Sequence, residues 1–139
     1  MRIVLDTSVV VSALRSRHGA SNKLLELAVN GHFKLLASPA LFLEYEEVLG
    51  RPEQSASHRL SPTELANFLI GLAAIIEPVR VYFQWRPQML DADDEMVLET
   101  ALNGRAHAIV THNIGDFEFA AAQFKLRVAS PAAVLRGEK

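Results

Sequence analysis

Residues 2–8 read Arg-Ile-Val-Leu-Asp-Thr-Ser, three aliphatic residues in succession that stop at Asp6, Thr7 and Ser8. An unbroken apolar run, rather than an alternation, is expected of a central parallel strand covered on both faces. Its carboxyl end then carries the polar group. In open α/β sheets ligands bind outside the carboxyl ends of the strands, so Asp6 is the first candidate site residue. Asp after a strand also serves simply to cap a turn with its side chain, and position alone leaves both roles open.

Working outward, Leu24, Leu25, Leu27 and Ala28 recur at helical spacing from Ser21, Gly31 stops the pattern, and residues 33–37 form a second strand candidate. Ser38 before Pro39 suits a cap followed by proline in the first turn, which predicts a helix over 39–49 ended by Gly50 and Pro52. Residues 50–62 lack an apolar period and read as a mobile connection. Ser61-Pro62-Thr63-Glu64 carries the signature of a capping box, opening a helix to Ile76 that Pro78 closes. Residues 79–83 read as a short strand or extended linker. A helix beginning at Asp91 or Asp93 ends at Gly104, residues 108–111 form the next buried strand, and Asp116 starts a short helix. Residues 126–129 are a last strand before a closing turn at Ser130-Pro131. Strands alternating with helices indicate an α/β fold with a mainly parallel sheet and helices on both faces.

A chain of 139 residues, half of them hydrophobic, is expected to form one domain over residues 1–139 with a sizeable core. No cysteine is present, which excludes disulfides and thiolate metal sites and leaves the cytoplasm as the expected compartment. Three apolar residues before Asp6 are too few for a signal peptide, and the run 68–76, interrupted by Gly71, is too short to span a membrane. The formal charge of -2 gives no general attraction for nucleic acid. That objection weakens if several acids gather at one place where cations neutralise them.

The acids can be placed by angle. On helix 39–49, Leu41, Phe42, Tyr45, Val48 and Leu49 define the buried face, Glu44 and Glu46 lie on its two borders, and Glu47 points away. Periodicity does not choose between Glu44 and Glu46. Asp94 falls in the middle of the stripe made by Val97, Leu98, Ala101 and Leu102, where an acid is costly unless it sits in the first turn and projects into a polar cleft. Helix capping by Asp91, Asp93, Asp94 and Glu95 is the plainer reading of that cluster. Thr111, Asn113 and Asp116 fall at a second carboxyl edge, beside His112, which reads as a surface or loop residue. Carboxylates brought this close raise one another's pKa unless a cation lies between them, and hard oxygen donors favour Mg²⁺ or Mn²⁺ over zinc.

Together, Ile3-Val4-Leu5-Asp6-Thr7-Ser8, the Ser38-Pro39-Ala40 helix bearing Glu44, the Asp91-x-x-Asp94 helix start and Val110-Thr111-x-Asn113-x-x-Asp116-Phe117 resemble a PIN domain. In particular they resemble the VapC-like toxin components of prokaryotic toxin-antitoxin systems. It implies a three-layer sandwich around a parallel sheet of four or five strands. It also implies a catalytic set of Asp6, Glu44, Asp94 and Asp116, which selects Glu44 over Glu46. Asp6, Asp94 and Asp116 would be direct metal ligands, with Thr7, Ser8, Thr111 and Asn113 in support. Many relatives carry Asn where this chain has Ser8.

The implied activity is Mg²⁺- or Mn²⁺-dependent endoribonuclease cleavage of RNA phosphodiester bonds, with a cognate antitoxin protein masking the site and self-association into a homodimer through early helices. Arg15, Arg17, His18 and Lys23 are candidates for phosphate contact, and equally for an ordinary solvated face. Two alternatives stand beside this. One is a catalytically silent PIN-like module that binds RNA or protein. The other is a flavodoxin-like phosphoacceptor, which would want a nearby lysine and a strand-end Asp acceptor not found here.

Overall fold

Ile3, Val4 and Leu5 are at most 2% exposed, because their strand has a hydrogen-bonded neighbour on each edge and helices over both faces. Burying each such side chain contributes roughly 1.5–3 kcal/mol, which makes this strand the centre of the core. The computed structural model describes residues 1–84, 89 and 91–137. In chain order the elements are β1 (Arg2–Leu5), α1 (Thr7–Arg15), α2 (Ala20–Val29), β2 (Lys34–Ala37), α3 (Pro39–Leu49), α4 (Pro52–His58), α5 (Pro62–Ile75), β3 (Ile76–Pro78), α6 (Ala92–Asn103), β4 (Ala108–Val110), α7 (Ile114–Gln123), β5 (Arg127–Ala129) and α8 (Pro131–Leu135).

The five strands run parallel in the order β3-β2-β1-β4-β5. The chain therefore winds outward from β1 in one direction to β3, then crosses to the other side of β1 for β4 and β5. Right-handed crossovers place the helices between β1 and β3 on one face and α6 and α7 on the other, giving the three-layer α/β sandwich. The winding reverses between β1 and β4, and a crevice at the carboxyl ends of the strands is expected there. Asp6 follows β1 and Thr111 follows β4.

Polar and steric ties hold the sheet to α6. The Arg2 guanidinium donates to both Glu77 oxygens at 3.1 and 2.7 Å and to the Gly104 carbonyl at 2.8 Å, linking β1, β3 and the end of α6. Gly104 packs so closely that a Cβ there would lie 2.8 Å from Val79 Cγ2 and 2.9 Å from the Thr100 carbonyl oxygen.

The structure departs from the sequence-based expectation in four places. Helix α1 was not expected. Thr7 and three successive valines are β-branched and weak helix formers, but burial of Val9, Val10 and Ala13 outweighs propensity. Residues 52–58, expected within a loop, form α4, which is fixed by polar contacts and not by an apolar stripe. The buried His58 ring meets the Leu49 carbonyl through Nε2 at 3.1 Å and accepts from the Leu60 amide through Nδ1 at 3.0 Å. The third strand is 76–78, not 79–83, because α5 ends at Ile75. Beyond Pro78 the alternative of an extended linker holds, with the Tyr82 and Phe83 amides donating to Asn103 Oδ1 at 2.9 and 3.0 Å. Helix α7 begins at Ile114, two residues ahead of Asp116. Among the described residues no helix is long and apolar enough to cross a membrane.

Candidate acidic site at the strand ends

Asp6 continues β1 by one residue, its amide donating to the Val110 carbonyl at 2.9 Å. The residue is 7% exposed. Two hydroxyls converge on a single carboxylate oxygen, Oδ2: Ser8 Oγ donates at 2.8 Å and Thr111 Oγ1 at 2.7 Å. Oδ1 accepts from neither hydroxyl. The buried Thr111 hydroxyl also accepts from the Asn113 amide at 2.9 Å, so one side chain joins Asp6 to the turn that starts α7. Asn113 contributes to this network through its backbone. Beneath Asp6 the buried Tyr45 phenol donates to the Leu5 carbonyl, tying α3 to the end of β1. Burial, and then the nearby Asp6 charge, push that phenol's pKa upward.

Helix α6 delivers the next acids. Asp91 is its cap, accepting from the Asp93 amide at 2.8 Å, and this settles where the helix begins. Asp94, half-buried in the first turn, has its carboxyl pKa pushed up to about 7. Burial is the largest cause, followed by the charges of Asp6, Asp91, Asp116 and Asp93. Asp116, exposed in the first turn of α7, is thus an electrostatic neighbour of Asp94. Three predicted site acids, from β1, α6 and α7, share one field.

Glu44 stands on the flank of this group. It is half-buried on α3, and its pKa is raised by burial first, then by Asp93 and Glu47, against a lowering by Arg51. Its acidic neighbour across the cleft is Asp93, not Asp94. Glu46 is exposed. Of the remaining candidates, Thr7 opens α1 and is half-buried. His112 is exposed, with its Nε2 3.1 Å from Ser21 Oγ.

Sequence reasoning missed two acids of α6. Glu95 and Glu99 are each 4% exposed. Glu95 Oε1 accepts from the Met89 amide at 2.8 Å, and Asn103 Nδ2 donates to the Glu99 and Phe83 carbonyls at 2.9 and 3.0 Å. Their spacing of four, continued to Asn103, was the available signal, but Glu95 was absorbed into the capping cluster.

Whether these residues suit a divalent cation can be judged on charge and spacing. The donors are hard carboxylate oxygens, and Asp94, besides being half-buried, lies in the negative field of Asp6, Asp91, Asp116 and Asp93. Yet among the described residues no three His, Asp or Glu side chains stand close enough to hold one ion. Asp6, Asp94 and Asp116 are therefore neighbours without forming a closed cage. Mg²⁺ commonly takes only one or two protein carboxylates and fills its shell with water and substrate phosphate oxygens, and the arrangement suits that mode.

No curated protein matches this chain. Residues 2–115 match the PIN domain, a span that includes Asp6, Glu44, Asp94, Thr111 and Asn113 and stops one residue before Asp116, and with this match over most of its length the chain belongs to the PIN-domain family, generally nucleases.

Proposed function

We propose that the protein is a metal-dependent endoribonuclease whose site is Asp6, Glu44, Asp94 and Asp116. The observation that carries this reading is the gathering of Asp6, Asp94 and Asp116, acids from distant parts of the chain, at the switch point of the sheet, where the Asp94 carboxyl is pushed up first by its burial and then by the charges of Asp6, Asp91 and Asp116. Unrelieved repulsion of this kind costs stability, and a divalent cation supported by substrate phosphate would remove it.

Asp6 and Asp94 would hold Mg²⁺ or Mn²⁺, with Asp116 as the third candidate ligand. When bound, such an ion lowers the pKa of a coordinated water and neutralises charge developing on the phosphate. The chain's own residues do the rest. Ser8 and Thr111 fix one oxygen of Asp6, which orients the carboxylate. Glu44, with its raised pKa and outer position, is suited to accept a proton from water.

The PIN fold and the VapC-like pattern of these residues support a role as the toxin of a toxin-antitoxin pair in the cytoplasm, the antitoxin covering the acids. A second copy of the chain is the occupant proposed for the apolar face of α2 and α5. Only Leu72 of α5 is buried, while Val29 of α2 is 64% exposed. Leu25, Val29, Phe68, Leu72 and Ile75 line a cleft there of about 280 Å³.

Purified protein should cut single-stranded RNA with Mg²⁺ or Mn²⁺ and stop on chelation or with Asp6→Asn. RNA binding without cleavage in either metal would favour the catalytically silent module.

A further inference from the structure

Beside the acids, Ser8 and Ser12 of α1 open onto a cavity of about 500 Å³ that also receives Arg15, from the last turn of α1, and Gln54, from α4. Its apolar wall comes from Val11 and Val48. The volume lies within the ~300–1,000 Å³ usual for small-molecule sites. Ser8 belongs to both places, since its hydroxyl donates to Asp6 Oδ2.

Two side chains in this cavity have bonding capacity to spare. Arg15 is exposed and, among the described residues, has no carboxylate partner. The half-buried Gln54 amide makes no side-chain hydrogen bond among the described residues, leaving two donors and an acceptor unspent. A cation, a free amide, hydroxyls and an aliphatic wall answer the phosphate, base edge, ribose and base face of one nucleotide.

We propose that this cavity is a nucleotide subsite, which takes one unstacked base of a single-stranded RNA while Arg15 binds the adjoining phosphate. The identification of the strand as RNA rests on the nuclease reading of the neighbouring acids; the cavity itself does not depend on catalysis. A base held against Val11 and Val48 must leave its stack, so paired RNA is disfavoured.

The test is fluorescence anisotropy with the full chain and a short labelled single-stranded RNA, in EDTA and again in Ca²⁺. Arg15→Gln should weaken binding about tenfold and reduce the logarithmic salt slope by about 0.7, the loss of one phosphate contact. Gln54→Ala should weaken binding about threefold with the slope unchanged, and a duplex of the same sequence should bind at least tenfold more weakly. Circular dichroism should show both variants folded. Wild-type affinity in both variants, equal binding of duplex, or no binding of single-stranded RNA in either buffer overturns the subsite. RNA cleavage that persists alongside such a failure leaves the nuclease reading standing. Binding that depends on Arg15 without any cleavage does the reverse.

Discussion

Thr111 and Asp6, 105 residues apart, are joined by a 2.7 Å hydrogen bond from the threonine hydroxyl to Asp6 Oδ2. The bond crosses the boundary between β1 and β4, where the winding of the sheet reverses. Thr111→Val keeps the shape but removes a donor from a buried carboxylate and an acceptor from the Asn113 amide. Denaturant unfolding should show a loss of about 1–3 kcal/mol, with most of it restored by Thr111→Ser. Equal stability of the valine variant and the wild type would contradict this.

The Asp94 carboxyl sets a pH dependence whose sign is definite. Its folded pKa, about 7, is above the ordinary value of 3.8 that it has in the unfolded chain. Between these values the folded chain binds more protons than the unfolded one, so stability contributed by protonated Asp94 is present below about pH 4 and is lost as pH rises through 7. In EDTA, Asp94→Asn should therefore melt higher than wild type at pH 8, and the gap should close toward pH 5. A gap independent of pH would count against this field of acids. Mg²⁺ should raise the wild-type melting temperature more at pH 8 than at pH 5.

Close packing at Gly104 predicts sensitivity to a single methyl group. The Thr100 carbonyl it would meet is backbone and cannot swing aside. Gly104→Ala should destabilise the fold by about 1–3 kcal/mol, read from the urea midpoint. A neutral or stabilising outcome would mean that α6 can shift against β2 at little cost.

The exposed face of α2 and α5 predicts a dimer. Light scattering after size exclusion should give twice the mass of the 15.3 kDa chain, and Val29→Asp should return it to one. A wild-type protein that remains a monomer at tens of micromolar removes the second copy from the proposal.

Much of the sheet was legible because its strands advertise themselves. Unbroken aliphatic runs such as 3–5 and 108–110 can be buried on both faces only in a parallel sheet, and each ends in a polar residue at the rim. Caps were equally clear where side chains make them, as at Ser38, Ser61 and Ser130. What escaped was structure held by tertiary contacts. The β-branched valines of α1 carried no helical signal, and α4 depends on His58 bonds that no periodicity records. Arg59 and Lys125 take positive φ at turns where the eye looks for glycine, so the ends of α4 and α7 carry no such signal.

At the site, Asp6 and Thr111 could be read as lying at the carboxyl ends of two strands, and Asp94 within the apolar stripe of its helix; that the two strands are neighbours came from the structure. Spacing could not show that Glu44 lies beside Asp93, nor that Glu95 and Glu99 are buried, Glu95 with its carboxylate against the Met89 amide. Those facts depend on how α3 packs against α6.

The most direct test is a crystal soaked in Mn²⁺ and measured for anomalous scattering. A peak within about 2.5 Å of carboxylate oxygens of both Asp6 and Asp94, lost in Asp94→Asn, is the expected result. No peak between them, or manganese found only elsewhere on the chain, would contradict a metal-dependent site at these strand ends.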